Sequence, residues 1–193
     1  MRMLCFTAIF WFFGSLTVWA EAIGTSIVNA ARSQVGVTVI YDPAYVGLDF
    51  PMGDVDISRG VCSDVVIRAL RVAADMDLQQ LVHGDMKQAF HAYPTNWGLK
   101  RPDKNIDHRR VLNLRRYFER NHQALAISDD PTAYLPGDIV SWLLPGNLTH
   151  IGVISDRKWA GVPLVIHNIG AGTQEEDILF RFKITGHYRV QQK

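Results

Sequence analysis

The apolar residues of this chain change their spacing once, and that change limits the folds open to it. In the first part they recur every three to four positions, the period of an amphipathic helix. Val65, Val66, Ala69, Leu70, Val72 and Ala73 form one such run; Leu78, Leu81, Val82, Met86, Ala89 and Phe90 form a second, which stops at Pro94; Val111 to Phe118 form a third. An earlier run, Ile27, Val28, Ala30, Ala31 and Val35, predicts a short helix ending near Gly36. After "SDDPTAYLPGD" the segments "DIVSWLL", "HIGVISD", "PLVIHNI" and "FRFKITGHYRV" are short, rich in β-branched and aromatic residues, and divided by turn residues, as antiparallel strands are. Helices first and strands afterwards specify an α+β fold, with N-terminal helices packed on one face of a C-terminal antiparallel sheet.

The 193 residues, 48% apolar and 20% charged, suit one domain. Net charge of +1 with both signs interspersed gives no broad field for nucleic acid. Residues 1–22, "MRMLCFTAIFWFFGSLTVWAEA", place Arg2 before an apolar run from Leu4 to Ala20 and end on small residues at Ala20 and Ala22. That is the anatomy of a secretory signal with a small-x-small cleavage site, and it predicts a periplasmic domain over 23–193 without stable membrane insertion. The alternative is an uncleaved anchor, since the run approaches the ~17–25 residues that cross a bilayer, holding an interaction protein at the inner membrane.

Cys5 would leave with the signal, so Cys62 would be a lone thiol in an oxidising compartment, where cysteines are usually paired. Cys62 stands where a turn gives way to the helix beginning "CSDVVIRAL". A helix N-terminus favours the thiolate, so the expectation is a free, alkylatable thiol with a pKa below the ordinary ~8.5. A thiol nucleophile also needs a histidine. His150 opens "HIGVISD" and His167 lies in "PLVIHNI"; consecutive antiparallel strands make them neighbours, one to contact the thiol and the other to hold the first ring. Neighbouring Asn168 should face the other side of its strand and matter less.

The blocks "GVCSDVVIRAL", "LPGDIVSWLL", "THIGVISD" and "LVIHNIG", in that order, resemble those of NlpC-type bacterial cell-wall peptidases, a papain-like superfamily. More closely, "IYDPAYVGLDFPMGD", "LVHGDM", "YPTNWGL" and "PDKNIDHRR" look like the YijF-like family of exported bacterial proteins, grouped within that superfamily. The resemblance implies a papain-like cysteine hydrolase of amide bonds in peptidoglycan stem peptides, acting as a monomer without a cofactor. In it Cys62 is the nucleophile, His150 the base, His167 the orienter, and the Cys62 N–H a donor to the oxyanion. The tyrosine that NlpC-type enzymes carry near the nucleophile has two counterparts here, Tyr41 and Tyr45. Val61 replaces the Asp that commonly precedes the nucleophile, Asp64 follows it instead, and an insertion around 76–116 reshapes the cleft. The order Cys, His, His is that of the peptidases; in the permuted lipid acyltransferases of the superfamily the histidine comes first. A non-catalytic cell-wall binding module on the same fold is the alternative.

Two further signals bear on ligands. The basic stretch Lys100, Arg101, Lys104, Arg109, Arg110, Arg115, Arg116 and Arg120, interrupted by acids, reads as a solvated face, with Arg109 and Arg110 as the candidates for gripping substrate carboxylates. His83 and His91 lack an accompanying metal signature, so no metal is expected.

Overall fold

A computed structural model describes residues 14–190 of the chain. Most of the expected export signal, including Cys5, lies outside the described residues. Helix α1 spans Gly14–Arg32 and so continues across Ala20–Ala22 and stops short of Gly36. Two short strands, β1 (Ile40–Tyr41) and β2 (Arg59–Gly60), pair in parallel and lead into α2 (Cys62–Ala74). Helices α3 (Leu78–Ala89) and α4 (Val111–Arg120) follow, at the positions their periodicity predicts. Then come β3 (Ala124–Leu125), β4 (Ile139–Leu144), β5 (Leu148–Trp159), β6 (Val162–Asn168), β7 (Thr173–Glu176) and β8 (Lys183–Tyr188). The sheet order is β3-β8-β4-β5-β6-β7, antiparallel at every pairing, and the helices pack on one face, as α+β requires. Among the described residues no helix is long and apolar enough to cross a membrane.

Strand alternation splits the apolar side chains between two cores. Ile139, Ile151, Val153 and Ile166 face the helices and pack with Ile27, Val65, Val66, Leu70, Leu114 and Phe118. Val140, Trp142, Ile154 and Val165 face the other way, onto Tyr134, Ile178 and Leu179. Strands β3 and β7 did not show in the sequence: one is two residues long, and "TQEE" is too polar to alternate.

Helix α2 is covered on all sides at its start. Every residue from Cys62 to Leu70 is buried, polar ones included, so each of those polar groups needs a partner. The Ser63 hydroxyl donates to the Arg109 carbonyl at 2.7 Å. Arg68 donates to the Asp54 carboxylate, to the Thr38 hydroxyl and to the carbonyls of Val55, Asp56 and Arg59, pinning the segment that leads to Cys62. Asp64 accepts the Val61 N–H at 2.7 Å, which caps the helix from its third position, and accepts both arms of the Arg109 fork at 2.9 Å. Removing one partner of such a buried pair strands the other charge. Arg109→Met should therefore lower unfolding stability in urea by about 3–5 kcal/mol, whereas Arg116→Met, which breaks the half-exposed pair with Glu119, should cost under about 1 kcal/mol.

Candidate active site

Cys62 is the first residue of α2 and is 5% exposed. Burial pushes its thiol up to about 12, and the nearby Asp64 carboxylate adds to the rise. The backbone N–H of Ile151 and those of Ser63 and Cys62 itself pull the other way and lose. The expected depression by the helix terminus is thus reversed, because the terminus lies in the interior and not at a wet surface. The contact with Ile151 is the informative one: it brings the thiol to β5 one residue along the chain from His150.

His150 Nε2 lies 3.0 Å from His167 Nδ1, both rings buried and nearly perpendicular. The β5–β6 register pairs Val153 with Ile166 and Ile154 with Val165; carried on, it sets His167 opposite Gly152, with His150 as its diagonal neighbour. A Cβ at Gly152 would fall 3.1 Å from His167 Cβ and 2.8 Å from the Val165 side chain, so glycine is what leaves the ring room to reach His150. The His150 ring rests against Trp142, which is locked by its indole N–H donating to the Leu179 carbonyl at 2.8 Å. Burial, with the charge on His167 adding to it, pushes His150 down to about 3. Burial also lowers His167, against the opposing pull of Glu176. The resting site therefore holds a protonated thiol and neutral imidazoles.

The two tyrosines separate. Parallel pairing sets Tyr41 opposite Gly60, two residues before Cys62, and burial, with Cys62 and Asp64 adding to it, raises the Tyr41 hydroxyl. Tyr45 bonds instead to Asp103 at 3.1 Å and Asn105 at 2.9 Å. It lines a cavity of about 540 Å³ with His83, Leu99, Arg101, Pro102, Asp103 and Lys104, apart from Cys62 and both histidines. Arg109 and Arg110 differ from their expected role. The Arg109 fork is spent inside the protein on Asp64 and on the carbonyls of Asp42 and Ala44, while Arg110 bonds Asp107 at 3.0 Å and lies over the Trp97 ring. The stretch around 107–110 uses its arginines to hold itself down. Among the described residues no group of three or more His, Cys, Asp or Glu is placed to hold a metal.

Sequence reasoning missed Glu176 and the partner of Asn168. Asn168 faces away from His167, is fully buried, and its amide donates to the Gly60 carbonyl at 3.1 Å, holding the turn before Cys62. Glu176 Oε2 lies 3.1 Å from His167 Nε2. No pattern in "TQEE" marks it; only the pairing of β7 does.

The thiol meets the β5 backbone at Ile151 from the helix side, the two imidazoles lie on the sheet face that carries Trp142 and Val165, and the single step from Ile151 to His150 joins them into a candidate thiol–imidazole site. The chain belongs to the family described as Domain of unknown function (DUF1287), which it matches over residues 28–190. Uncharacterized protein YijF of Escherichia coli (strain K12) is 58% identical over 165 residues, 85% of this chain and 80% of that protein. The structure of NlpC1 from Trichomonas vaginalis aligns at a TM-score of 0.47 with 14% identity, over 95% of this chain and 47% of that one, so the chain spans about half its length.

The buried thiol has a direct consequence for labelling. In the absence of substrate, iodoacetamide should modify Cys62 slowly at neutral pH, and the rate should keep rising well past the ordinary thiol value of ~8.5. Mass spectrometry of a pH series measures it; a plateau at or below that value would contradict the burial argument.

Proposed function

We propose that the protein is an exported, periplasmic cysteine hydrolase of amide bonds in cell-wall peptides, working through Cys62, His150 and His167. The observation that carries this reading is the buried His150–His167 contact set one residue from the strand N–H that meets the Cys62 thiol. With Nε2 of His150 turned to His167, Nδ1 is the nitrogen left to take the thiol proton. The sulfur then bonds to the substrate carbonyl carbon, and the oxyanion is held by backbone N–H groups at the start of α2. The C–N bond breaks, His150 returns its proton to the leaving amine, and a thioester remains. A water molecule, losing a proton to His150, attacks the thioester; the C–S bond breaks, the acid is released and the thiol is restored.

Because the resting pair is neutral, charge separates only when substrate fills the site, which makes His150 a general base and not half of a standing ion pair. The family resemblance of the Cys and His blocks supports peptidoglycan stem peptides as the substrate class. The deep burial of Cys62 favours a second reading, a cell-wall binding module that keeps the fold without the chemistry.

Purified muropeptides incubated with each variant and read by mass spectrometry separate the two. Wild type should yield amide-cleavage products and Cys62→Ala none. His150→Ala should lose about 10²–10⁴-fold in kcat/KM, and His167→Asn should retain more than His167→Ala because an amide still offers an acceptor. Binding of muropeptide without cleavage by wild type would select the binding module.

The sign of the His150 shift fixes the acid limb of this activity. A base whose conjugate acid is destabilised stays ready at lower pH, so kcat/KM should hold from about pH 8 to about pH 5.5, where an imidazole of ordinary pKa ~6.5 would have lost most of its free base. A fall centred near the ordinary value would place His150 in a wetter setting than the one described.

A further inference from the structure

We propose that Glu176 is a positioning residue that selects the reactive tautomer of His150 by acting through His167. The inference rests on the reading of His150 as the base and extends that site by one strand.

The geometry comes from strand register. β6 and β7 pair Val165 with Glu176, Ile166 with Glu175, His167 with Gln174 and Asn168 with Thr173. Glu176 therefore shares a sheet face with Val165 and His167 and is the diagonal neighbour of His167, as His150 is on the other side. The three side chains form one diagonal row across β5, β6 and β7, with 3.0 Å between the rings and 3.1 Å from His167 Nε2 to the Glu176 carboxylate. That approach is too oblique for a full hydrogen bond, and the buried Nε2 atom has no other partner among the described residues. The preceding residue, Glu175, turns to the opposite face and is occupied by Arg32, Ser155 and Arg157, so the two adjacent glutamates have separate duties.

The chemistry follows from counting protons. A neutral imidazole carries one N–H, and the contact between His150 Nε2 and His167 Nδ1 needs one proton, not two. A carboxylate at His167 Nε2 requires the proton there, which leaves Nδ1 as an acceptor. His150 must then carry its own proton on Nε2, and its Nδ1 presents a lone pair. Without the carboxylate, His167 is free to hold its proton on Nδ1 and donate it to His150 Nε2. His150 would then be protonated on Nδ1, the nitrogen that has to accept from the thiol. Glu176 thus decides whether the base is in its working form, without touching substrate. Burial keeps both rings neutral, so proton placement, and not ring charge, is the property at stake.

The test uses the full chain labelled with ¹⁵N-histidine and long-range ¹H–¹⁵N spectra, which distinguish the two tautomers of each ring. Wild type should show His167 and His150 both protonated on Nε2. Glu176→Ala should move a substantial share of both to the Nδ1–H form, and Glu176→Gln should keep the wild-type pattern, because the amide oxygen still accepts from Nε2. In muropeptide cleavage the Ala variant should lose about tenfold or more in kcat with KM little changed, and the Gln variant should recover most of it. Circular dichroism checks that each variant is folded. Unchanged tautomers in a folded Glu176→Ala overturn the inference whatever the activity. A wild type that shows the expected tautomers but cleaves nothing overturns the hydrolase reading and leaves the role of Glu176 in place.

Discussion

The buried pair of Asp64 and Arg109 is the knot on which the site depends. One carboxylate caps the backbone at Val61 and so fixes where α2 begins, which is where Cys62 stands. The same carboxylate fixes a guanidinium whose two terminal nitrogens also donate to the loop carbonyls of Asp42 and Ala44, just after Tyr41. The Ser63 hydroxyl binds the carbonyl of that same arginine. The start of α2, the stretch around Arg109 and the loop after β1 are thereby joined at the residues that flank Cys62. A desolvated ion pair contributes little net stability, since the cost of removing two charges from water offsets most of their attraction. What it supplies is a single permitted arrangement of three segments that share no regular secondary structure.

Much of the architecture was legible because it follows from period. The switch from helical to alternating spacing after α4 separates the layers, and the four long strands and three of the helices fall where their apolar residues predict. The site was legible in part: a cysteine at a helix start and histidines on consecutive strands are local facts, and adjacency of those strands brings the rings together. What escaped was whatever depends on a second segment arriving from elsewhere. The reversed thiol pKa comes from burial of the α2 terminus, whose next residues Ser63 and Asp64 bond to Arg109, and nothing in "GVCSDVV" announces a cover. The arginines of that stretch read as an open basic surface because their acidic partners, Asp64 and Asp107, lie on other segments or other turns. Spacing could not separate Tyr41 from Tyr45, whereas the β1–β2 pairing sets Tyr41 opposite Gly60, two residues before Cys62.

Burial of the site has two opposed effects. It suppresses the thiolate that a nucleophile needs, and it strengthens every polar contact that remains, because little water competes for it. A resting thiol that is hard to ionise is also hard to oxidise, since oxidants attack the thiolate. For Cys62, the free cysteine among the described residues, the same desolvation that delays ionisation shields the sulfur.

Strand β6 carries His167 and Asn168 side by side, and the two point to opposite sides of the sheet, one toward the second ring and the other toward the carbonyl of Gly60. The strand therefore works as a ruler with marks on both edges. One edge measures the imidazole row and the other measures the approach to the cysteine, and because the marks are adjacent residues on one rigid backbone, neither distance can be adjusted without the other. A slip of one residue would exchange the edges and empty both. Hydrogen bonding of β6 to β5 and β7 thus determines more than sheet stability: it keeps the imidazole row and the turn before Cys62 in a common frame of reference.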